Sequence, residues 1–152
     1  MKKIVLIFGI ALMSVTLNAQ SDADVWELAK TDLKTEYKTI IISHMNFSDS
    51  EAEAFWPVFN EYMAKKSASM DKQIAAIKKF ADNYDSLTDE VLEDLVKVGN
   101  SRIIERQKAR MAYYKKLKKI LSTRKAAKLY QIDGQITTLL DFQVVSQIPI
   151  IE

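Results

Sequence analysis

The sequence predicts an all-α fold, a long antiparallel helical hairpin with two shorter flanking helices. Three observations predict it. Only Gly99, Gly134, Pro57 and Pro149 interrupt residues 20–152, too few breakers for a chain of strands and tight turns. Apolar residues recur three and four positions apart in four blocks, and residues suited to capping stand between the blocks. The chain has no cysteine, so neither a disulfide frame nor a lipid-modified N-terminus holds it.

The first residues stand outside that fold. Lys2 and Lys3 precede an uncharged run from Ile4 to Leu17, and Ala19 offers a small residue for cleavage before Gln20. This is the layout of a secretory signal peptide over residues 1–19, cleaved near Ala19. The run is shorter than the ~20 residues of a membrane span. An uncleaved anchor is the alternative, because Leu17 is larger than the usual residue three before a cut. Residues 20–152 then form a single helical domain with a real core. Without Lys2 and Lys3, the 22 basic and 20 acidic residues become 20 of each, which removes compositional support for nucleic-acid binding.

The first helix is expected from Asp24 to about Ser43, with Trp26, Ala29, Leu33, Tyr37 and Ile40 along one face. Its period outweighs the β-branched run Ile40-Ile41-Ile42. The second helix starts after Ser48, whose hydroxyl can cap the free N–H groups while Glu51 reaches back to the Ser48 amide. Phe47 precedes the cap and fixes the angle at which the chain joins the helix. The stripe Phe55, Phe59, Tyr62, Met70, Ile74, Ile77 and Ala81 follows. Pro57 deprives the Glu53 carbonyl of its donor and should bend the helix. We expect Phe55, Trp56, Pro57 and Phe59 to shape the hairpin.

Residues 82–86 read as a turn, and Thr88 caps a third helix from Asp89 to about Leu121. Its apolar stripe is Leu92, Val96, Gly99, Ile103, Met111, Tyr114, Leu117 and Leu121, with Gly99 allowing close backbone approach. Helices two and three are both ~33 residues, or ~50 Å, and a short turn between equal helices makes an antiparallel pair. Ser122 caps a fourth helix from Thr123 to about Ser146, lined by Ala126, Leu129, Ile136 and Leu140. Gly134 weakens its middle and Pro149 ends it. Trp56, Val58, Met63, Phe80 and Tyr113 fall off these stripes and call for a second burying surface, a homodimer or a partner groove.

Charge is segregated. Residues 95–128 hold twelve basic residues and one acid, Glu105, while residues 82–94 hold six acids and no base. Arg102, Arg106 and Arg110 recur every four residues, and Lys65, Lys66, Lys72, Lys78 and Lys79 lie on the facing helix. Such a face is either simply solvated or a positive surface that attracts acidic, partly unfolded proteins or an acidic partner. In the second reading Met111, Tyr113 and Tyr114, beside Lys115 and Lys116, add apolar contact. Catalytic constellations are missing from the pattern. His44 is the only histidine, its helical neighbours Ile40, Ile41, Phe47 and Ser48 are not metal ligands, and a role at the helix end is expected. Met45, Met63, Met70 and Met111 are scattered and read as core filler. No glycine-rich phosphate loop occurs. The expectation is a non-enzyme with no cofactor and no metal.

Phe47-Ser48-Asp49-Ser50-Glu51 resembles in type the Leu-Thr-x-x-Gln box of the periplasmic Spy/CpxP family of Gram-negative bacteria, with Glu51 in the glutamine position. Leu121-Ser122 and Leu87-Thr88 match only the first two positions of that box. Phe55-Trp56-Pro57-Val58, Met45-Asn46-Phe47-Ser48, Asn60-Glu61-Tyr62, Lys125-Ala126-Ala127 and Tyr130-Gln131-Ile132-Asp133 are similar to an uncharacterised group of exported helical proteins, sometimes labelled sensors of extracytoplasmic sigma factors. That group commonly has proline after the leucine matching Leu121 and glutamate where Asp133 stands. The resemblance implies a four-helix cradle, often a curved dimer, in the periplasm. It implies ATP-independent holding of unfolded clients or a stress-response role. Arg102, Arg106 and Arg110 would steer clients, with Met111, Tyr113, Tyr114, Lys115 and Lys116 nearby. The alternative is a regulatory partner of a membrane sensor or anti-sigma factor, with a metal-responsive variant third.

Overall fold

The computed structural model describes residues 22–146 and 148–151, with side chains described from Glu27 onward except Gln147. The expected leader, its cleavage site and the Trp26 side chain lie outside the described residues. Four helices carry the chain: α1 (Asp22–His44), α2 (Asp49–Asp82), α3 (Asp89–Ile120) and α4 (Thr123–Val145), with one 3-10 turn at Tyr84–Ser86. No strand occurs among the described residues, and none of their helices is long and apolar enough to cross a membrane.

The helix starts are where the local chemistry puts them. The Glu51 amide donates to Ser48 Oγ at 3.3 Å and the Ser48 amide donates to Glu51 Oε2 at 2.9 Å, a closed reciprocal cap. Phe47 packs on Phe55 with ring centres 4.8 Å apart. Thr88 receives the Val91 amide at 3.4 Å and Ser122 receives the Lys125 amide at 3.3 Å. At the end of α1, His44 Nδ1 lies 2.9 Å from the Ile40 carbonyl. Two lysines of α4 meet the exposed carbonyls there: Lys128 Nζ donates to His44 at 2.6 Å and Lys125 Nζ to Asn46 at 2.8 Å. Lys125 also pairs with Glu51 at 2.5 Å, so one ammonium ties the end of α1 to the starts of α2 and α4.

Helix α2 runs through Pro57 without a break, and Pro57 faces solvent, where water can serve the Glu53 carbonyl. Helices α2 and α3 are antiparallel. Their ion pairs Glu61–Lys116, Lys72–Glu105 and Lys79–Asp94 climb one helix as they descend the other. Tyr62 and Tyr113 stack between them with ring centres 4.1 Å apart and planes 4° from parallel. The shorter α1 and α4, 23 residues each, flank this pair. At the base, Tyr37, Ile41, Met45, Phe55, Phe59, Leu117, Leu121, Ala126 and Leu129 form one core. At the far end Phe80 packs edge-on against Tyr84.

Three expectations are corrected. Helix α3 is rotated from its apolar stripe: Val96 (65 % exposed), Ile103 and Met111 face outward. Leu117 and Leu121 of that stripe are buried as expected, but the inward line also takes in Arg102, Arg106 and Tyr113, for an electrostatic reason given below. Gly99 meets nothing within 4 Å of where a Cβ would stand, so no close approach uses it. Met63, Phe80 and Tyr113 are buried within the chain, and Trp56 and Val58 pack against its core. Those five residues therefore do not call for a second burying surface.

Replacing Ser48 by Ala should destabilise the fold by about 1 kcal/mol, and Ser48→Asp by almost nothing. Urea denaturation followed by circular dichroism measures both.

Candidate functional site

Helix α4 carries an acid into the middle of this bundle. Ala126, Leu129 and Ile132 bury the inner face of α4, and Asp133 lies on that face with 0 % of its surface exposed. An isolated carboxylate there would be prohibitively costly, and three other helices supply its partners. Tyr37 Oη of α1 donates to Oδ1 at 2.6 Å. From α2, Tyr62 Oη lies 3.0 Å from both carboxylate oxygens and Lys66 Nζ donates to Oδ1 at 2.9 Å. From α3, Arg110 Nε donates to Oδ2 at 2.8 Å.

The two cations are themselves well held. Lys66 also donates to Thr137 Oγ1 at 2.9 Å and sits 5.1 Å from the Tyr37 ring centre. Arg110 donates to the Tyr130 carbonyl at 2.8 Å, and its guanidinium carbon stands 3.7 Å from the Tyr130 ring centre. Room for that guanidinium comes from Gly134. A Cβ at position 134 would come within 2.5 Å of Arg110 Nη2. Gly134 weakens α4 by propensity and makes the clamp possible by its missing side chain.

The other two arginines of the ridge point into the same seam. Arg106 donates to Asp141 at 2.7 Å, and Arg102 donates to Gln73 Oε1 at 3.2 Å. Four cations, Lys66, Arg102, Arg106 and Arg110, therefore face two carboxylates, Asp133 and Asp141. The titration behaviour follows from that imbalance. Burial alone would raise the Asp133 carboxyl, but Lys66 and the bonds from Tyr37, Lys66 and Tyr62 outweigh it and hold the group below the usual aspartate range. Lys66 is pushed down by burial and further by Arg106 and Arg110, against the pull of Asp133. Arg102 is lowered by burial and by Arg106. Burial and the nearby Asp133 push Tyr37, Tyr62 and Tyr113 well above the ordinary tyrosine value, so the first two stay protonated donors.

The expected arginine surface is thus corrected: Arg102, Arg106 and Arg110 are half-buried partners of α2 and α4. Apolar periodicity put them outside, but the acids of α4 draw them in. Tyr113 is buried against Tyr62. Lys116 is paired with Glu61 across the hairpin. Tyr114 is half-buried with its ring centre 5.3 Å from that of Tyr130. Of the eight residues expected to form a surface, Met111, Lys115 and Lys116 are exposed, and Met111 Sδ accepts from Tyr130 Oη at 3.7 Å. Tyr37, Lys66 and Asp133, the members that matter most, were not among them. A lysine in line with Phe55, Phe59 and Tyr62, and an aspartate in line with Ala126 and Leu129, were the signals.

Among the described residues no three His, Asp or Glu side chains gather as a metal site. No family model, curated protein or solved structure gives a significant match to this chain. The site is therefore read from its own geometry. It joins four helices through one carboxylate.

Asp133→Asn should cost about 3–5 kcal/mol, because Lys66 and Arg110 would be left without a buried counter-charge. The pH dependence has a definite sign. A carboxyl lowered in the folded state contributes stability that is present above its unfolded value, about 3.9, and lost as pH falls through the folded value. Thermal melts of the native chain should steepen on the acid side more than those of Asp133→Asn. Gly134→Ala should destabilise the native chain by displacing Arg110. In an Arg110→Ala background the same change should stabilise by up to about 1 kcal/mol, which a double-mutant cycle in urea would read.

Proposed function

We propose that this chain is an exported, Spy/CpxP-like helical binding protein, a non-enzyme that holds unfolded or acidic protein clients without ATP. The observation that carries the reading is the outer face of α3. Ile104, Lys108, Met111 and Lys115 follow one another at three- and four-residue spacing, and all four face solvent. Ile104 is 55 % and Met111 44 % exposed. Lys108, Lys115 and Lys119 are exposed along α3, with Lys108 acting on Glu105 through space. Apolar side chains interleaved with exposed lysines suit a client that is acidic and has exposed apolar segments. The methionine adapts to varied shapes, and the lysines lengthen the reach of the attraction.

The buried clamp supports this reading from the other side. With Arg102, Arg106 and Arg110 engaged inward, the positive face left to solvent is made of lysines. Lysines steer by charge without the fixed fork of a guanidinium, which fits many loosely bound clients better than one tightly specified partner. The expected binding set therefore moves from the arginine ridge to Lys108, Lys115 and their apolar neighbours. A periplasmic location accompanies the proposal through the N-terminal Lys2–Ala19 pattern.

Light scattering of an acidic client during refolding should fall when the protein is added at equal concentration. The effect should weaken as salt rises past the range where the Debye length shrinks below ~8 Å. Ile104→Ser with Met111→Ser should abolish most of it, and Lys108→Glu with Lys115→Glu should remove its salt dependence. No suppression by the native protein at equal concentration overturns the proposal.

A further inference from the structure

Two cavities meet at the charged seam. One, about 260 Å³, lies between α2 and α3. The other, about 80 Å³, is a half-open inner cavity walled by Leu33, Met70, Leu140 and Val144, with Lys66, Arg102, Arg106 and Asp141 at its charged side. They share three residues, Lys66, Ser69 and Arg106. Ser69 Oγ and Arg106 Nε are both buried and have no hydrogen-bond partner among the described residues. Arg102 is bonded only to the neutral Gln73. Buried donors in native proteins almost always find an acceptor, and here they stand where cations outnumber carboxylates four to two. An acceptor placed there would meet both donors, and the excess of cations favours a negative one.

The walls specify what kind. A phosphate dianion would need donors on most sides, whereas the inner cavity is largely aliphatic. The apolar part of the inner space is small, which suits a chain of only a few carbons. We propose that this seam binds a short aliphatic carboxylate, with its head between Ser69, Arg102 and Arg106 and its tail among Leu33, Met70, Leu140 and Val144. The larger cavity is the way in, along the Lys66–Ser69–Arg106 wall that both share. This site is on the opposite side of α3 from the client-binding face, and neither proposal depends on the other.

Thermal melts and calorimetry of the full protein decide it, at matched ionic strength, with butanoate, hexanoate, 1-hexanol and inorganic phosphate. Butanoate and hexanoate should give saturable heat and raise the melting temperature in proportion to the logarithm of concentration once above Kd. 1-Hexanol and phosphate should not. Arg102→Gln, which leaves the Asp133 and Asp141 pairs intact, should weaken carboxylate binding about tenfold by loss of a charge-assisted bond. Ser69→Ala should weaken it a few-fold, and Lys115→Gln on the far face should leave it unchanged. No saturable heat with either carboxylate overturns the proposal. So does phosphate binding as well as hexanoate, or an Arg102→Gln variant that melts cooperatively and binds as the native protein does.

Discussion

One carboxylate, Asp133, determines how the four helices stand against one another. Apolar faces attract without direction, and four amphipathic helices could slide past one another while burying similar area. Asp133 removes that freedom. Tyr37, Tyr62, Lys66 and Arg110 reach it from three different helices. Shifting any of those helices by one turn, about 5.4 Å, would leave a charge or a hydroxyl buried with no partner. A buried ion pair contributes little net stability over a well-packed apolar substitute, and its value here is register. The sharp local cost of an error does what diffuse packing does not.

The same carboxylate explains the electrostatic layout of the surface. Once Asp133 and Asp141 draw the arginines of α3 inward, the face opposite is left to Ile104, Lys108, Met111 and Lys115. The basic run between residues 95 and 128 therefore has two destinations. On α3, Arg102, Arg106 and Arg110 go where geometry and hydrogen bonding matter, and Lys108 and Lys115 go where only charge in water matters. A helix that looks uniformly basic in sequence is two-sided in space.

What could be read from the residues divides along a physical line. Helix starts at Ser48, Thr88 and Ser122, the turn over residues 82–86, and the antiparallel pairing were legible, because each depends on neighbours within a few positions. The rotation of α3 was not. Assigning Val96, Ile103 and Met111 to the core assumed that apolar residues go inside and arginines outside, and the acids 23 and 35 positions downstream of Arg110 and Arg106 reverse that order. Lys66 and Asp133 each occupy a gap in an otherwise apolar line. A charge in such a gap is a request for an opposite charge elsewhere, and two gaps of opposite sign could have been matched. Gly134 was legible only as a weak point in a helix, since its purpose is a guanidinium arriving from another helix.

The contact between Tyr37 and Asp133 spans 96 positions. Helices α2 and α3 can zip together from their shared turn by short-range encounters, whereas the bond from Tyr37 of α1 to Asp133 waits until nearly the last helix exists. A chain emerging from its N-terminal end therefore carries Tyr37 without its carboxylate partner through most of its synthesis. The bundle becomes complete only when position 133 arrives.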